Sequence, residues 1–245
     1  MVETLSDTGR MSFLDHLGEL RVRLLRALLA VSLCFAVAWS QSRRIFRIFV
    51  QPIQPFLGGH KLVFLEVTEP FLLYMKVSLL VAIFAASPLI LYQLWAFVSP
   101  GLYPKEKRYA APFILIASLF FLGGGLFGYL VAFPYAARFL LSIAGDFQPA
   151  LTVRSLFGFE SKIILGMGLV FEMPVAIFLL SRLGVVSPAF LLRNLKYAVL
   201  IIFIVAAVVT PTPDVITQCI FALPMLGLYL LGIGAAYLVP RRDGS

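Results

Sequence analysis

Six long apolar runs separated by polar segments dominate the chain: Leu24 to Ser40, Val77 to Val98, Tyr109 to Phe133, Ile163 to Ser181, Tyr197 to Thr210, and Val215 to Val239. A helix crossing the roughly 30 Å hydrocarbon core of a bilayer needs about 20 apolar residues, at about 1.5 Å each. Extended at their flanks, the runs predict transmembrane helices at about 22–40, 77–98, 109–133, 159–181, 197–210 and 215–239. Val22 and Arg23 complete the first, the Arg23 stem snorkelling to the interface. The fifth run, Tyr197 to Thr210, is different. Its 14 residues span about 21 Å, so it underfills the bilayer unless its flanks extend it or the lipid thins. Pro88, Pro112, Pro174 and Pro224 interrupt the runs and predict bent helices forming a curved wall. Pro211-Thr212-Pro213-Asp214 joins the fifth and sixth helices as a short hairpin. The expected fold is an all-α integral membrane protein, one domain over 1–245, with no long polar segment for a soluble appendage. The segment before Leu24 is polar and lacks a small-residue cleavage site, so the first run reads as a retained span. No internal repeat is visible, which weakens an inverted-repeat transporter.

Composition strengthens this picture. Hydrophobic residues make up 61% and charged residues 13% of the chain, where soluble proteins have about 45–50% and about 25%. The net charge of +8 on so apolar a chain points to loops beside anionic lipid, and no basic stripe with interleaved aromatics follows a nucleic-acid backbone. Six spans put both termini on one side. That side carries 12 basic residues in shorter segments against 8 on the other, so the termini are expected in the cytoplasm. Arg43, Arg44 and Arg47 run against that assignment. They belong to an amphipathic stretch, Arg43 to Val50, that reads either as a short helix along the outer interface or as a simple connector.

Candidate chemistry is sparse. Cys34 and Cys219 lie in apolar runs, and His16 and His60 are too few for a multi-histidine metal centre, so no cofactor or metal is expected. There is no nucleophile elbow, zinc-protease motif or phosphate-binding loop. Gly123-Gly124-Gly125 lies inside a span, where small residues let helices approach. Glu172, in Phe171-Glu172-Met173-Pro174, falls within the fourth span. A charge there costs about 2.5–3.5 kcal/mol on insertion scales, so the group is protonated, paired or open to water. A neutral Glu172 bonded to a carbonyl freed by Pro174 is the structural alternative. Glu19 can pair with Arg23 four residues on, and Glu106 stands among Lys105, Lys107 and Arg108 as a locally neutralised acid. Asp214 suits the start of the sixth helix, with Gln218 one turn further. Lys76 and Lys162 are expected at the outer ends of their spans.

These residues together resemble a known family. His16-Leu17-Gly18-Glu19-Leu20-Arg21, Thr68-Glu69-Pro70-Phe71, Ser87-Pro88 through Gln93-Leu94-Trp95-Ala96-Phe97, and Leu102-Tyr103 with Glu106-Lys107-Arg108 stand in the order of the TatC family. Phe171-Glu172-Met173-Pro174 and Pro213-Asp214 with Gln218 complete the likeness to this multispanning subunit of the twin-arginine protein translocase. The turn before Asp214 reads Thr-Pro-Thr-Pro where the family often has adjacent prolines, and the segment after Pro240 is short. The resemblance implies a receptor for twin-arginine signal peptides of folded cargo in the inner membrane, assembling as an oligomer with single-span TatA and TatB-type subunits and driven by the proton-motive force. It assigns Glu19 and Glu106 to the arginine site, with Arg21 and Phe97 in support. It assigns Glu172 to a concave intramembrane groove, and Asp214 and Gln218 to partner contact. The cytoplasmic side has 12 basic against 7 acidic residues, a net of +5, so recognition of a basic peptide has to be local. Two carboxylates in one pocket favour guanidinium over ammonium through bidentate bonding. Two other classes stay open on residues alone: a proton-coupled small-solute transporter using Glu172, and a membrane enzyme with Glu172 as general acid, which lacks a second catalytic group at that depth.

Overall fold

The structure, a computed structural model, describes residues 13–57, 62–98, 110–143, 151–210 and 214–237. Its helices in chain order are α1 (Phe13–Ser40), α2 (Ser42–Val50), a 3-10 segment (Gln51–Phe56), α3 (Glu69–Val98), α4 (Ala110–Phe127), α5 (Phe133–Ile143), α6 (Val153–Phe171), α7 (Met173–Arg182), α8 (Pro188–Arg193), α9 (Leu195–Val209) and α10 (Val215–Tyr237). Among the described residues there is no extended strand, only an isolated parallel bridge between Val63 and Thr152. Five helical units are long and apolar enough to cross a membrane, and α9 is a shorter apolar helix. The chain is an all-α, multi-pass membrane protein.

The spans are longer than the apolar runs. α3 begins at Glu69 and α6 at Val153, well before Val77 and Ile163. Polar starts make this possible. Glu69 is buried and its Oε2 accepts the Leu65 amide at 2.9 Å, while Thr152 caps α6 by accepting from the Ser155 amide at 3.2 Å. Lys76 and Lys162 therefore lie two turns or more inside their helices, both exposed.

The prolines act unequally. Pro88 and Pro224 sit inside continuous helices. Pro112 stands in the first described turn of α4. Pro134 cannot donate to the carbonyl four residues back, and a π-helical turn over Gly128–Ala132 precedes it. At Pro174 the fourth span divides into α6 and α7, with Glu172 between them.

α1 packs along α3 and otherwise faces outward, exposing Leu24, Leu28, Leu29, Leu33 and Val37. The core gathers between α3, the π-turn, α6 and α10, around the fully buried Val77, Phe133, Ile163, Met167 and Phe221. Small residues set its spacing. A methyl on Gly124 would stand 2.5 Å from the Met167 carbonyl oxygen, so the α4 and α6 backbones approach closely there. Gly184, with φ +74°, ends α7 in the left-handed region, and the Val185 amide closes back on the Leu180 carbonyl at 3.0 Å.

The fifth span is short, as its sequence predicts, and the structure adds where it stops. The 15 residues of α9 reach about 22 Å. A methyl on Gly166 would meet Val209 at 2.5 Å, so α9 ends beside the middle of the fourth span. The end of α9 is thus recessed about 20 Å along α6 from Val153.

Candidate functional site

Glu19 stands near the terminal end of α1. One turn on, Arg23 reaches back: its Nε donates to Glu19 Oε1 at 2.9 Å, and its terminal nitrogen closes an ion pair on the same oxygen. This is the i,i+4 pair expected from the spacing. Its geometry is one-sided. Both guanidinium contacts fall on Oε1, while Oε2 is buried and accepts no hydrogen bond from any described residue.

A second unpaired acceptor lies at the same depth. Trp39 of α1 meets Phe71 of α3 edge-on at 5.6 Å in an antiparallel pairing. Stepping 20 residues along both helices from that contact, at equal rise, brings Glu19 level with the turn containing Leu91 and Gln93. Gln93 Oε1 is also buried and unpaired among the described residues. Buried acceptors left without donors cost about 1–3 kcal/mol each, so this end of the α1–α3 pair favours an incoming donor.

The remaining candidates at this end are placed differently. Arg21 is exposed and stands about 200° around α1 from Glu19, so it supports that carboxylate by no direct contact. Phe97 is half-buried in the last turn of α3. Glu106 lies outside the described residues, as do Leu102, Tyr103, Lys107 and Arg108.

Glu172 occupies the break between α6 and α7. Its amide donates to the Leu169 carbonyl at 3.1 Å, and its carbonyl accepts from the Ala176 amide at 2.9 Å, which restarts the helix past Pro174. The side chain makes no hydrogen bond to a described residue, and Oε1 is buried. The bond to a freed backbone carbonyl is therefore absent. A groove of about 450 Å³ opens beside the break, between Trp95, Phe113, Phe120, Pro174, Phe178 and Leu231. Pro174 belongs to its wall and Glu172 does not, so the carboxylate borders the groove without lining it.

Asp214 and Gln218 stand at the start of α10, where the Gln218 amide donates to the Asp214 carbonyl at 3.1 Å. Asp214 Oδ1 accepts the Thr217 amide at 2.6 Å and caps α10. Gln218 Nε2 donates to the Phe203 carbonyl at 2.9 Å, pinning α10 to α9. Thr217, fully buried, leaves its hydroxyl unpaired among the described residues.

Sequence reasoning missed Gln93 and, more plainly, Glu160. Glu160 is 0% exposed, and neither carboxylate oxygen bonds to a described residue. Its polar neighbour is Tyr129, within electrostatic reach, whose hydroxyl donates to the Ile48 carbonyl at 2.5 Å. Flanked by Ser161 and Lys162, Glu160 reads as interfacial. The usable signal was helical spacing: Val153, Leu156, Glu160, Ile163, Ile164 and Met167 form one buried stripe, with Arg154 and Lys162 exposed.

Comparison with known proteins fits this architecture. Residues 15–224 match the family model for Sec-independent protein translocase protein (TatC). Proteins described as Sec-independent protein translocase protein TatC include one from Koribacter versatilis, 44% identical over 95% of this chain and 88% of its own length. One from Desulforapulum autotrophicum is 42% identical over 95% and 87%, and one from Aquifex aeolicus 36% identical over 95% and 97%. A crystal structure described as the twin arginine translocase receptor TatC superposes with a TM-score of 0.79 at 36% identity, covering 92% of this chain and 100% of that one. Its helices, its core and the extent of these matches agree: the chain belongs to the TatC family, and is a multi-pass membrane component of the Sec-independent protein translocase.

Proposed function

We propose that this chain is the signal-receiving core of the translocase, binding twin-arginine signal peptides of folded cargo at its cytoplasmic end. It lies in the inner membrane with both termini cytoplasmic, as the 12 to 8 distribution of basic residues favours. Its role is binding and assembly, without catalysis, and transport draws on the proton-motive force. The whole of 1–245 acts as one membrane domain.

The observation that carries this reading is the unpaired Oε2 of Glu19 at the depth of the unpaired Oε1 of Gln93. Arg23 already satisfies Oε1, so a signal-peptide guanidinium finds one carboxylate oxygen and one amide oxygen ready to accept. Glu106 supplies the second carboxylate, making the bidentate contact that distinguishes arginine from lysine. Phe97 bounds the site by packing, and Arg21 supports it from another face of α1 through its charge. Glu172 acts at the edge of the apolar groove. Asp214 and Gln218 mark the contact for single-span TatA and TatB-type partners within an oligomeric complex, since the start of α10 beside the recessed end of α9 carries polar groups at a depth a partner helix can cover. A proton-coupled solute carrier fits less well, because the groove beside Glu172 is apolar and leaves that carboxylate out of its wall.

The test is photo-crosslinking of a twin-arginine precursor to the translocase in membranes. Glu106→Gln and Glu19→Gln are each expected to abolish the crosslink at the cytoplasmic end while insertion and assembly persist. Unchanged crosslinking in Glu106→Gln removes that residue from the site. Glu172→Leu is expected to insert well and impair export or partner contact, and normal export would reduce Glu172 to a structural role.

A further inference from the structure

Three arginines stand just beyond the opposite end of α1 from Glu19. Arg43, Arg44 and Arg47 lie on α2, directly after α1, and all are exposed. At about 100° per residue they cover one arc of the helix, while Phe49 is buried on the opposite side. None pairs with an acidic side chain among the described residues. A basic cluster on this side opposes the distribution that orients the chain, so it needs a local anion.

Directly beneath α2 lies a groove of about 420 Å³ with an apolar lining. Ile45 and Ile48 form its upper wall, Leu80 and Val81 of α3 one side, and Leu122 and Leu126 of α4 the other. Val81, Leu122 and Leu126 are exposed toward lipid. From Tyr129 to Leu122 the groove descends about 10 Å. The Tyr129 hydroxyl, donating to the Ile48 carbonyl, holds α2 over it. Arg44 and Ile48 are one turn apart on α2, so the cationic arc adjoins the mouth of the groove.

We propose that α2 and this groove bind an anionic phospholipid of the outer leaflet, with its phosphate on the guanidinium groups of Arg44 and Arg47, assisted by Arg43, and one acyl chain in the groove. Guanidinium forks match phosphate oxygens through paired bonds. An amphipathic basic helix at the interface is the geometry that holds such a headgroup. A partner's transmembrane helix fits less well, because α2 walls off the upper end and a spanning helix has to pass that level. The outer leaflet rests on the orientation proposed above; the lipid site itself does not.

The full chain, purified and delipidated, is reloaded with phosphatidylglycerol or phosphatidylcholine, and bound lipid is read by native mass spectrometry. Phosphatidylglycerol is expected to be preferred. The preference should fall roughly fivefold for each arginine changed in Arg43→Gln, Arg44→Gln and Arg47→Gln. Leu126→Trp, which fills the groove from its exposed rim, should lower retention with the arginines intact. Equal retention of the two lipids, or wild-type phosphatidylglycerol binding by the triple variant, overturns the site. A photo-crosslinker at Leu126 in native membranes should yield lipid adducts; a protein adduct in their place overturns the lipid as occupant. Arg43→Cys in a Cys34→Ser, Cys219→Ser background should react with an impermeant thiol reagent from outside the cell. Reaction only from the cytoplasmic side overturns the leaflet and the orientation together, independently of the lipid measurement.

Discussion

Adjacent glycines in α4 allow the close approach of α4 and α6 to be measured against an internal control. A methyl added to Gly124 would stand 2.5 Å from the Met167 carbonyl oxygen and 2.7 Å from Phe171 Cβ, whereas one added to Gly123 meets nothing within 4 Å. The obstacles at Gly124 are a backbone atom and the root of a side chain, so neither can swing aside. Restoring a contact of 3.4 Å requires the two helices to separate by about 0.9 Å. Overpacking of this kind costs about 1–3 kcal/mol. Replacing glycine with alanine also gains up to about 1 kcal/mol of helix propensity. That gain is common to both positions and cancels in their difference. Gly124→Ala should therefore be less stable than Gly123→Ala by about 1–3 kcal/mol, or about 2–12 °C in thermal midpoint for a chain of this size. The assay is thermal unfolding of the two purified variants in the same detergent. Equal midpoints, or a lower one for Gly123→Ala, would refute the contact between α4 and α6.

Glu160→Met replaces a buried carboxylate with no bonded partner by an apolar side chain of similar size, so thermal stability should be unchanged or raised; a fall of several degrees would reveal a partner for the carboxylate. Arg23→Ala frees Glu19 Oε1 and should increase crosslinking to a twin-arginine precursor, with a stability loss of only about 0.3–0.5 kcal/mol; reduced crosslinking would make Arg23 part of the peptide site. Asp214→Asn keeps an acceptor for the Thr217 amide, whereas Asp214→Ala should lose about 1 kcal/mol of capping, seen as a lower thermal midpoint. Gln218→Leu removes the bond to the Phe203 carbonyl and should cost about 1 kcal/mol in the same measurement, with identical midpoints refuting the tie between α9 and α10.

The helical spans were legible because a bilayer imposes a length, and five of the six apolar runs, with their flanks, supply it. Their ends were less legible. α3 and α6 begin well outside the apolar runs, at Glu69 and behind the Thr152 cap, since hydropathy counts such polar helix starts as loop. The candidate site divides along the same line. The Glu19–Arg23 pair and the Asp214 cap follow from local spacing and were readable as such. Gln93 and Glu160 matter through burial set by packing between distant helices, which a hydropathy profile does not carry. The recessed end of α9 was foreshadowed by its length, but its position against Gly166 needed the fold.

Guanidinium selectivity is the central claim, and a competition experiment addresses it most directly. The full chain in nanodiscs is titrated with two signal peptides that differ only in carrying paired arginines or paired lysines. The twin-arginine peptide should bind at least about tenfold tighter, through bidentate contact with the acidic site, and Glu19→Gln should erase the difference. Equal affinities, or a preference that survives Glu19→Gln, would contradict it.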